Sequence, residues 1–473
     1  MKPLLAVAVA ACLGVSSLHA AEATRISATA LAAAAQLRER APNDPTAYDF
    51  VAGLTTEIGP RLAGGANDQR ARDWTVAHLK ALGFDKVWTE PVTYPRWVRR
   101  SERGQILAPF AQPLALSALG NSPATPKGGL RGELVMFKDL KALEAANAAS
   151  VKGKIVYIGY RMHAARDGHD YGPATAGRTA GPAAAAKLGA IGFVLRSAGS
   201  DSDRLPHTGL TLFPPNTPKI PAAAISNPDA DLVERMLAGG KPVTLQLDLD
   251  CGIEGDYTGA NVIAQLNGSE KPDEIVAIGG HLDSWDPGTG AIDDGAGVAT
   301  AVGAAHLIST LPQRPKRSIR VIAFANEEAG MFGGKAYGTA HKDEIAKHIV
   351  ASEADFGSGP IWRLSSQVKP EALGAVDQIM QALAPLGVER GGSSAHGGDF
   401  GSLGEAGAAL VDLTEDGTRY FDWHHTANDT LDKIDPKDLN HNVAVYAVFA
   451  YLAAQADGDF GSAPGAFAKP KEN

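Results

Sequence analysis

Cysteine is almost missing: Cys12 and Cys251 are the only two in 473 residues. If the first leaves with an N-terminal leader, Cys251 stands alone and no intramolecular disulfide can form. Stability then rests on core packing and on any bound metal. Positive charge is not in excess either. Lys and Arg total 44 against 53 Asp and Glu, a net charge of −9, so the chain offers no general attraction for nucleic acid or an anionic membrane. Beyond the N-terminus, no apolar run approaches the roughly 18 residues of a spanning helix, and no internal repeat is visible. What remains is 44% hydrophobic and 21% charged residues, a globular composition that excludes a disordered, collagenous or disulfide-scaffold chain. The 53 glycines and 29 prolines point to many loops, and the length suits two large domains or three smaller ones.

The N-terminus has the order of a secretory signal peptide. Met1-Lys2-Pro3 precedes an apolar run from Leu4 to Val15, and small residues surround Ala20 and Ala21. Cleavage there puts residues 1–21 outside the mature chain and implies secretion or a periplasmic location. A lipoprotein box at Val9 to Cys12 is disfavoured by the short apolar stretch before it.

The mature chain divides by texture into an N-terminal part (22–125), an insert (126–250), a catalytic part (251–458) and a tail (459–473). Spaced Ile26, Leu31 and Leu37 predict an amphipathic helix from Glu22 to Ala41, and a second runs from Asp68 to Leu82. Between them, Ile58-Gly59-Pro60-Arg61 reads as a connector. In the insert, Lys154–Ile158 and Ala190–Leu195 are buried-type strands flanking an Ala-rich helix over Gly181–Leu188. From Asn261 onward strands and helices alternate, which predicts an α/β, doubly wound mixed sheet carrying an inserted α+β domain.

The chemistry collects at strand ends in the last part, where open α/β sheets place their ligand sites. Ile275–Gly280 delivers His281 and Asp283. Asp293-Asp294-Gly295 opens a small-residue helix from Val298 to Ile308. Ile319–Ala325 ends in Asn326-Glu327-Glu328. Ile349–Ala354 delivers Asp355, and His424-His425 and Asp429 follow in a polar loop. Taken singly, each is as easily a helix cap or a loop residue. Together His281, Asp293, Glu328, Asp355 and His425 form a nitrogen and oxygen donor set suited to zinc. Five donors exceed one tetrahedral site but serve two metals sharing a carboxylate, which leaves Glu327 as the base. His163, Asp167, His169 and Asp170 fit no metal spacing and read as a polar loop, and Arg96, Arg99, Arg100 and Arg103 read as a solvated rim.

These motifs resemble the M28 family of co-catalytic zinc exopeptidases, and within it the plasma glutamate carboxypeptidase branch. Gly280–Asp286, Gly290–Gly295, Glu327-Glu328, Glu353–Asp355 and His424-His425 with Asp429-Thr430 carry the likeness, together with Ile58–Arg61. Arg196-Ser197 and Pro206–Gly209 liken the insert to that branch's protease-associated domain. The resemblance implies two zinc ions per chain, one on His281 and Asp355, the other on Glu328 and His425, with Asp293 bridging. Glu327 is then the general acid and base, Asp283 orients His281, Asp429 supports His425, and Tyr420 and His424 touch substrate. One departure stands out: His396-Gly397-Gly398 runs directly into Asp399, where the branch has an extra small residue.

The implied function is hydrolysis of dipeptides or short peptides by a secreted or periplasmic enzyme, with a homodimer as the implied assembly. Aminopeptidase, carboxypeptidase and dipeptidase activity all remain open. A single-zinc glutaminyl cyclase-like acyltransferase and a metal-poor binding protein of the same fold are the alternatives, and the complete donor set speaks against both.

Overall fold

The computed structural model describes residues 23–461, so the expected leader, with Cys12, and most of the tail lie outside the described residues. Fourteen strands are described: β1 (Lys86–Ala108), β2 (Gln112–Leu114), β3 (Leu116–Ala118), β4 (Leu130–Phe137), β5 (Ile155–Ile158), β6 (Gly192–Arg196) and β7 (Ala222–Ile225). They continue as β8 (Thr244–Leu266), β9 (Lys271–His281), β10 (Arg317–Phe324), β11 (His348–Glu353), β12 (Ile361–Gln367), β13 (Glu389–Arg390) and β14 (Leu410–Glu415). They join in the order β13-β12-β14-β11-β9-β10-β8-β4-β5-β6-β7-β3, with β1 along β8 and β2 along β1.

The centre of the sheet is parallel, β10 beside β9 beside β11, and antiparallel neighbours make it mixed. Both faces are covered, and the sequence says why. Val276 and Ile278 of β9 pack on one side with Val321 of β10, against the helices Ala28–Arg40, Ala296–Ser309 and Pro436–Gln455. Ile275, Ala277, Ile322 and Phe324 point the other way, toward Tyr337, Phe400 and Leu403. Strands buried on both faces must be apolar at successive positions, which is how β9 and β10 read. β5 and β6 repeat the pattern in the insert, with Tyr157 and Val194 on one face and Val156 and Phe193 on the other.

Two features depart from the sequence reading. The Ala-rich helix of the insert begins ten residues early, at Tyr171, and ends at Lys187 with Pro182 inside it. Its glycines are poor helix formers, but they give the helix close approach to the sheet: a Cβ at Gly181 would lie 2.6 Å from Phe193. Packing overrides propensity here. The second feature is larger. β1 and β8, each 23 residues long, pair antiparallel along nearly their whole length, from Lys86 opposite Gln265 to Ala108 opposite Thr244. The expected border at 250/251 falls inside β8, so one ribbon runs continuously across it.

The first helix spans Ala28–Arg40, capped by the Ser27 side chain accepting from the Ala30 N–H, and the second spans Asp68–Ala81. Among the described residues no helix is long and apolar enough to cross a membrane.

The helix Ala296–Ser309 lies close to the sheet because Gly297 carries no side chain; a Cβ there would run into the Ala354 carbonyl and the Asp294 carboxylate. Gly297→Ala is therefore expected to destabilise the fold by about 1–3 kcal/mol, read as a lower midpoint in urea unfolding. An unshifted midpoint would contradict this packing.

Candidate metal centre

The carboxyl ends of β9, β10 and β11 meet the loop that opens Ala296–Ser309, and the predicted donors converge there. His281 ends β9 and is buried. Its Nε2 lies 3.0 Å from Asp293 Oδ1 and 3.5 Å from Asp355 Oδ1. The other Asp293 oxygen, Oδ2, lies 3.2 Å from His425 Nε2, which is 3.1 Å from Glu328 Oε2. One buried carboxylate thus stands between two donor groups.

Two sets of side chains bring ligand atoms within 4.8 Å of one another: His281 with Asp293 and Asp355, and Asp293 with His424 and His425. Asp293 belongs to both. His424, expected to touch substrate, lines the cleft and also offers a nitrogen to the second set, its Nε2 3.4 Å from Asp293 Oδ2. It stacks on His425 with ring centroids 3.5 Å apart.

The charges are compressed. Burial pushes the Glu328 carboxyl up to about 7, with Asp293 adding to it. At Asp293 the same burial is outweighed by the close imidazoles of His281 and His425, so its carboxyl stays well below the usual range. Burial opposes charge on His425, but Glu328 and Asp293 hold it up at about 9. Burial keeps His424 well below its ordinary value. Asp293 Oδ2 and Glu328 Oε1 are buried without a hydrogen-bond donor. Buried carboxylate oxygens are normally satisfied, and two left open beside imidazole nitrogens fit hard or borderline cations such as zinc.

The supporting contacts are mostly hydrogen bonds with backbone groups. Asp283 meets His281 through its backbone carbonyl, 3.0 Å from Nδ1. Its carboxylate also lies 3.7 Å from that Nδ1 and accepts from the backbone N–H groups of Glu327 at 3.0 Å and Glu328 at 3.4 Å. The Asp429 Oδ1 accepts from the Ile292 N–H at 2.7 Å and so holds the turn before Asp293. Asp294 turns away from the donors, accepting from the His281 and Gly297 N–H groups at 2.9 and 3.0 Å.

Arg61, read from sequence as part of a connector, is fully buried. Its guanidinium donates to the carbonyls of Leu282, Thr289 and Gly290 at 2.6, 2.6 and 2.8 Å. It laces the loop after His281 to the loop before Asp293. Burial lowers its pKa against the pull of Asp429, Asp283 and the neighbouring aspartates. The sequence signals were an arginine set among Gly59, Pro60, Gly64 and Gly65 and the share of Ile58–Arg61 in the family likeness.

The insert also reaches the site. His425 adopts a left-handed backbone, φ 62°, a strained conformation for a residue with a side chain. Thr208 clamps it from both sides. The Thr208 N–H donates to the His425 carbonyl at 3.0 Å, and the Thr208 carbonyl accepts from His425 Nδ1 at 3.1 Å. That second bond leaves Nε2 as the free donor atom. Arg99 is not on a solvated rim: its side chain is buried, pairing with Glu102 at 2.7 Å and Asp286 at 3.2 Å and donating to Thr208 Oγ1 at 3.0 Å. Arg100 is exposed. His163 pairs with Asp170 and His169 with Asp167 near the surface, and neither pair joins a metal-type group.

A cleft of about 350 Å³ opens over the donors. Glu327, Glu328 and Asp355 line it from the catalytic part, and Tyr171, Arg178, Thr179 and Leu210 from the insert. Burial raises the Glu327 carboxyl well above its usual range, with His281 opposing. Tyr420 packs on His424 at 4.8 Å. Trp285 packs edge-on to His425 at 5.8 Å. Asp399, at the departure from the family pattern, is buried behind the site. It accepts from the Gly334 N–H at 2.9 Å and donates its own N–H to Glu353 at 2.5 Å.

The family model for peptidase family M28 matches residues 261–450. Carboxypeptidase Q of Mus musculus is 34% identical over 415 residues, covering 87% of this chain and 86% of that protein. The solved peptidase M28 precursor from Shewanella amazonensis SB2B superposes with a TM-score of 0.90 at 47% identity, covering 91% of this chain and 98% of that one. A zinc aminopeptidase from Bacillus subtilis shares the fold, with a TM-score of 0.61 at 20% identity, covering 85% and 94% of the two chains.

Because the Asp283 carboxylate holds the backbone of both glutamates, Asp283→Ala is expected to weaken zinc binding about 10- to 100-fold. Competition against a chromogenic chelator measures it, and an unchanged affinity would show that the glutamates hold their place without Asp283.

Proposed function

The chain belongs to peptidase family M28, and from that premise we propose that it is a secreted or periplasmic zinc exopeptidase that hydrolyses dipeptides or short peptides with two zinc ions per chain. The observation that carries the reading is Asp293, whose two oxygens face His281 on one side and His425 on the other.

His281 and Asp355 would hold one zinc, Glu328 and His425 the other, with Asp293 between them and His424 beside the second. Zinc bound there supplies Lewis-acid polarisation of a water and of the peptide carbonyl. The protein's own part is proton transfer and positioning. The Glu327 carboxylate takes a proton from the attacking water as its oxygen bonds to the peptide carbonyl carbon. The same carboxyl returns that proton to the leaving nitrogen as the C–N bond breaks. Asp283 fixes Glu327 through its backbone N–H, Arg61 keeps the two loops in register, and cleft walls from both parts exclude water. The insert, which we read as a protease-associated domain, shapes that cleft through Tyr171, Arg178, Thr179 and Leu210. The homodimer rests on the family resemblance.

Glu327→Gln keeps size and burial while removing the base. It is expected to lower kcat by about 10²- to 10⁴-fold with the zinc content of wild type, measured on a dipeptide panel alongside metal analysis. A variant that stays active would remove Glu327 from the proton path.

A further inference from the structure

One irregular loop, Ser197 to Gly209, grips the segment that carries His424 and His425 at two points. It belongs to no helix or strand, so side chains and outside contacts set its shape. The first grip is Ser200. Its N–H donates to the Phe421 carbonyl at 3.1 Å and its hydroxyl to Asp422 Oδ1 at 2.9 Å. The second grip is Thr208, whose two backbone bonds to His425 hold that residue in its left-handed conformation. The Thr208 carbonyl also accepts from Arg178 Nη1 at 3.3 Å. Phe421 and Asp422 lie on the short helix Tyr420–Trp423, which leads straight into the histidines. The grips thus stand at either end of the segment.

One buried bond ties the grips together. Asp201 follows Ser200, His207 precedes Thr208, and His207 Nε2 lies 2.6 Å from Asp201 Oδ2. His207 is 1% and Asp201 6% exposed. Each has further anchors: the His207 N–H donates to Ser197 Oγ at 2.8 Å, and the Asp203 N–H to Asp201 Oδ1 at 2.7 Å. Asn227 Nδ2 donates to the Asp201 carbonyl at 3.3 Å. A Cβ at Gly199 would lie 2.2 Å from the His207 ring, so the loop closes tightly over the imidazole. Neither residue lines the cleft or joins a metal-type group. Burying a carboxylate and an imidazole is costly unless their geometry is fixed, and here it fixes the distance between the two grips.

We propose that Asp201 and His207 are positioning residues of the metal centre: their bond closes the loop into a clip that sets His424 and His425 against Asp293 and Glu328. This deepens the two-zinc reading and rests on it. A histidine ligand is oriented by the partner of its other ring nitrogen. For His425 that partner is the Thr208 carbonyl, which is only as fixed as the loop behind it. The strained His425 backbone needs such a restraint from outside.

The test titrates zinc into metal-stripped, full-length protein against a chromogenic chelator, which resolves two binding steps in wild type. Asp201→Ala and His207→Ala are expected to weaken one step about 10- to 100-fold and to leave the other within about threefold. His207→Gln, whose amide can still donate to Asp201, should bring the weakened step back to within about threefold of wild type. If the alanine variants do not fold, Asp201→Asn, which weakens the bond and keeps the space filled, should weaken that one step about 3- to 10-fold. Val156→Ala, a core truncation in β5, is the stability control: it should lower the urea midpoint and keep both steps. Two unchanged steps in folded Asp201→Ala, or in Asp201→Asn where that variant stands in, overturn the proposal. So does an equal loss in both steps, or a loss in Val156→Ala as large as in Asp201→Ala, since either marks a general loosening. A His207→Gln protein no better than His207→Ala overturns it too. Wild type that binds a single zinc fails the two-zinc reading itself and takes the proposal with it.

Discussion

The structure depends on holding many carboxylates in a small buried volume. Asp283, Asp293, Asp294, Glu328, Glu353, Asp399 and Asp429 are all buried near the ends of β9, β10 and β11, with Glu327 and Asp355 at the cleft. Negative charge does not collect in a protein interior without something to offset it. Part of the offset is built in. Backbone N–H groups of His281, Glu327, Glu328, Ile292 and Gly297 point at the aspartates, and Arg61 sits among them. The remainder is left to His281, His424 and His425 and to whatever cations their free nitrogens and the open carboxylate oxygens attract. A buried site of this kind is costly without offsetting cations, which is a reason for such firm anchoring of its loops.

The anchoring crosses the whole chain. In the ribbon of β1 and β8, β8 joins β4 to β10 within the one sheet. Thr208 fixes a strained histidine of the centre. Arg99 links the ribbon, the insert and Asp286 in one buried network. Residues from 126–250 therefore brace the centre as well as wall the cleft.

Sequence reasoning reached the features that are local. β9, β10 and β11 are short apolar runs that end in acids and histidines, so the donors could be named before their distances were known. It missed what is set by partners. β1 contains Pro91 and Pro95, and β8 contains Gly252, Gly255 and Gly259. Each reads as a strand breaker, yet the long ladder absorbs them with register shifts near Pro95, Arg99 and Ile106. Asp283 and Asp429 were named, but the backbone N–H groups of Glu327, Glu328 and Ile292 that they hold are brought near only by folding. Arg178 and Thr208 lie more than two hundred positions before His425, and no spacing rule connects them.

The central claim is that Asp293 is shared by two metals. Zinc content per chain, measured by atomic emission after exhaustive dialysis, tests it directly on wild type and Asp293→Ala. The account predicts two zinc ions in wild type, and one or none in a variant that stays folded by circular dichroism. Two zinc ions retained by folded Asp293→Ala, or a single ion in fully loaded wild type, would contradict it.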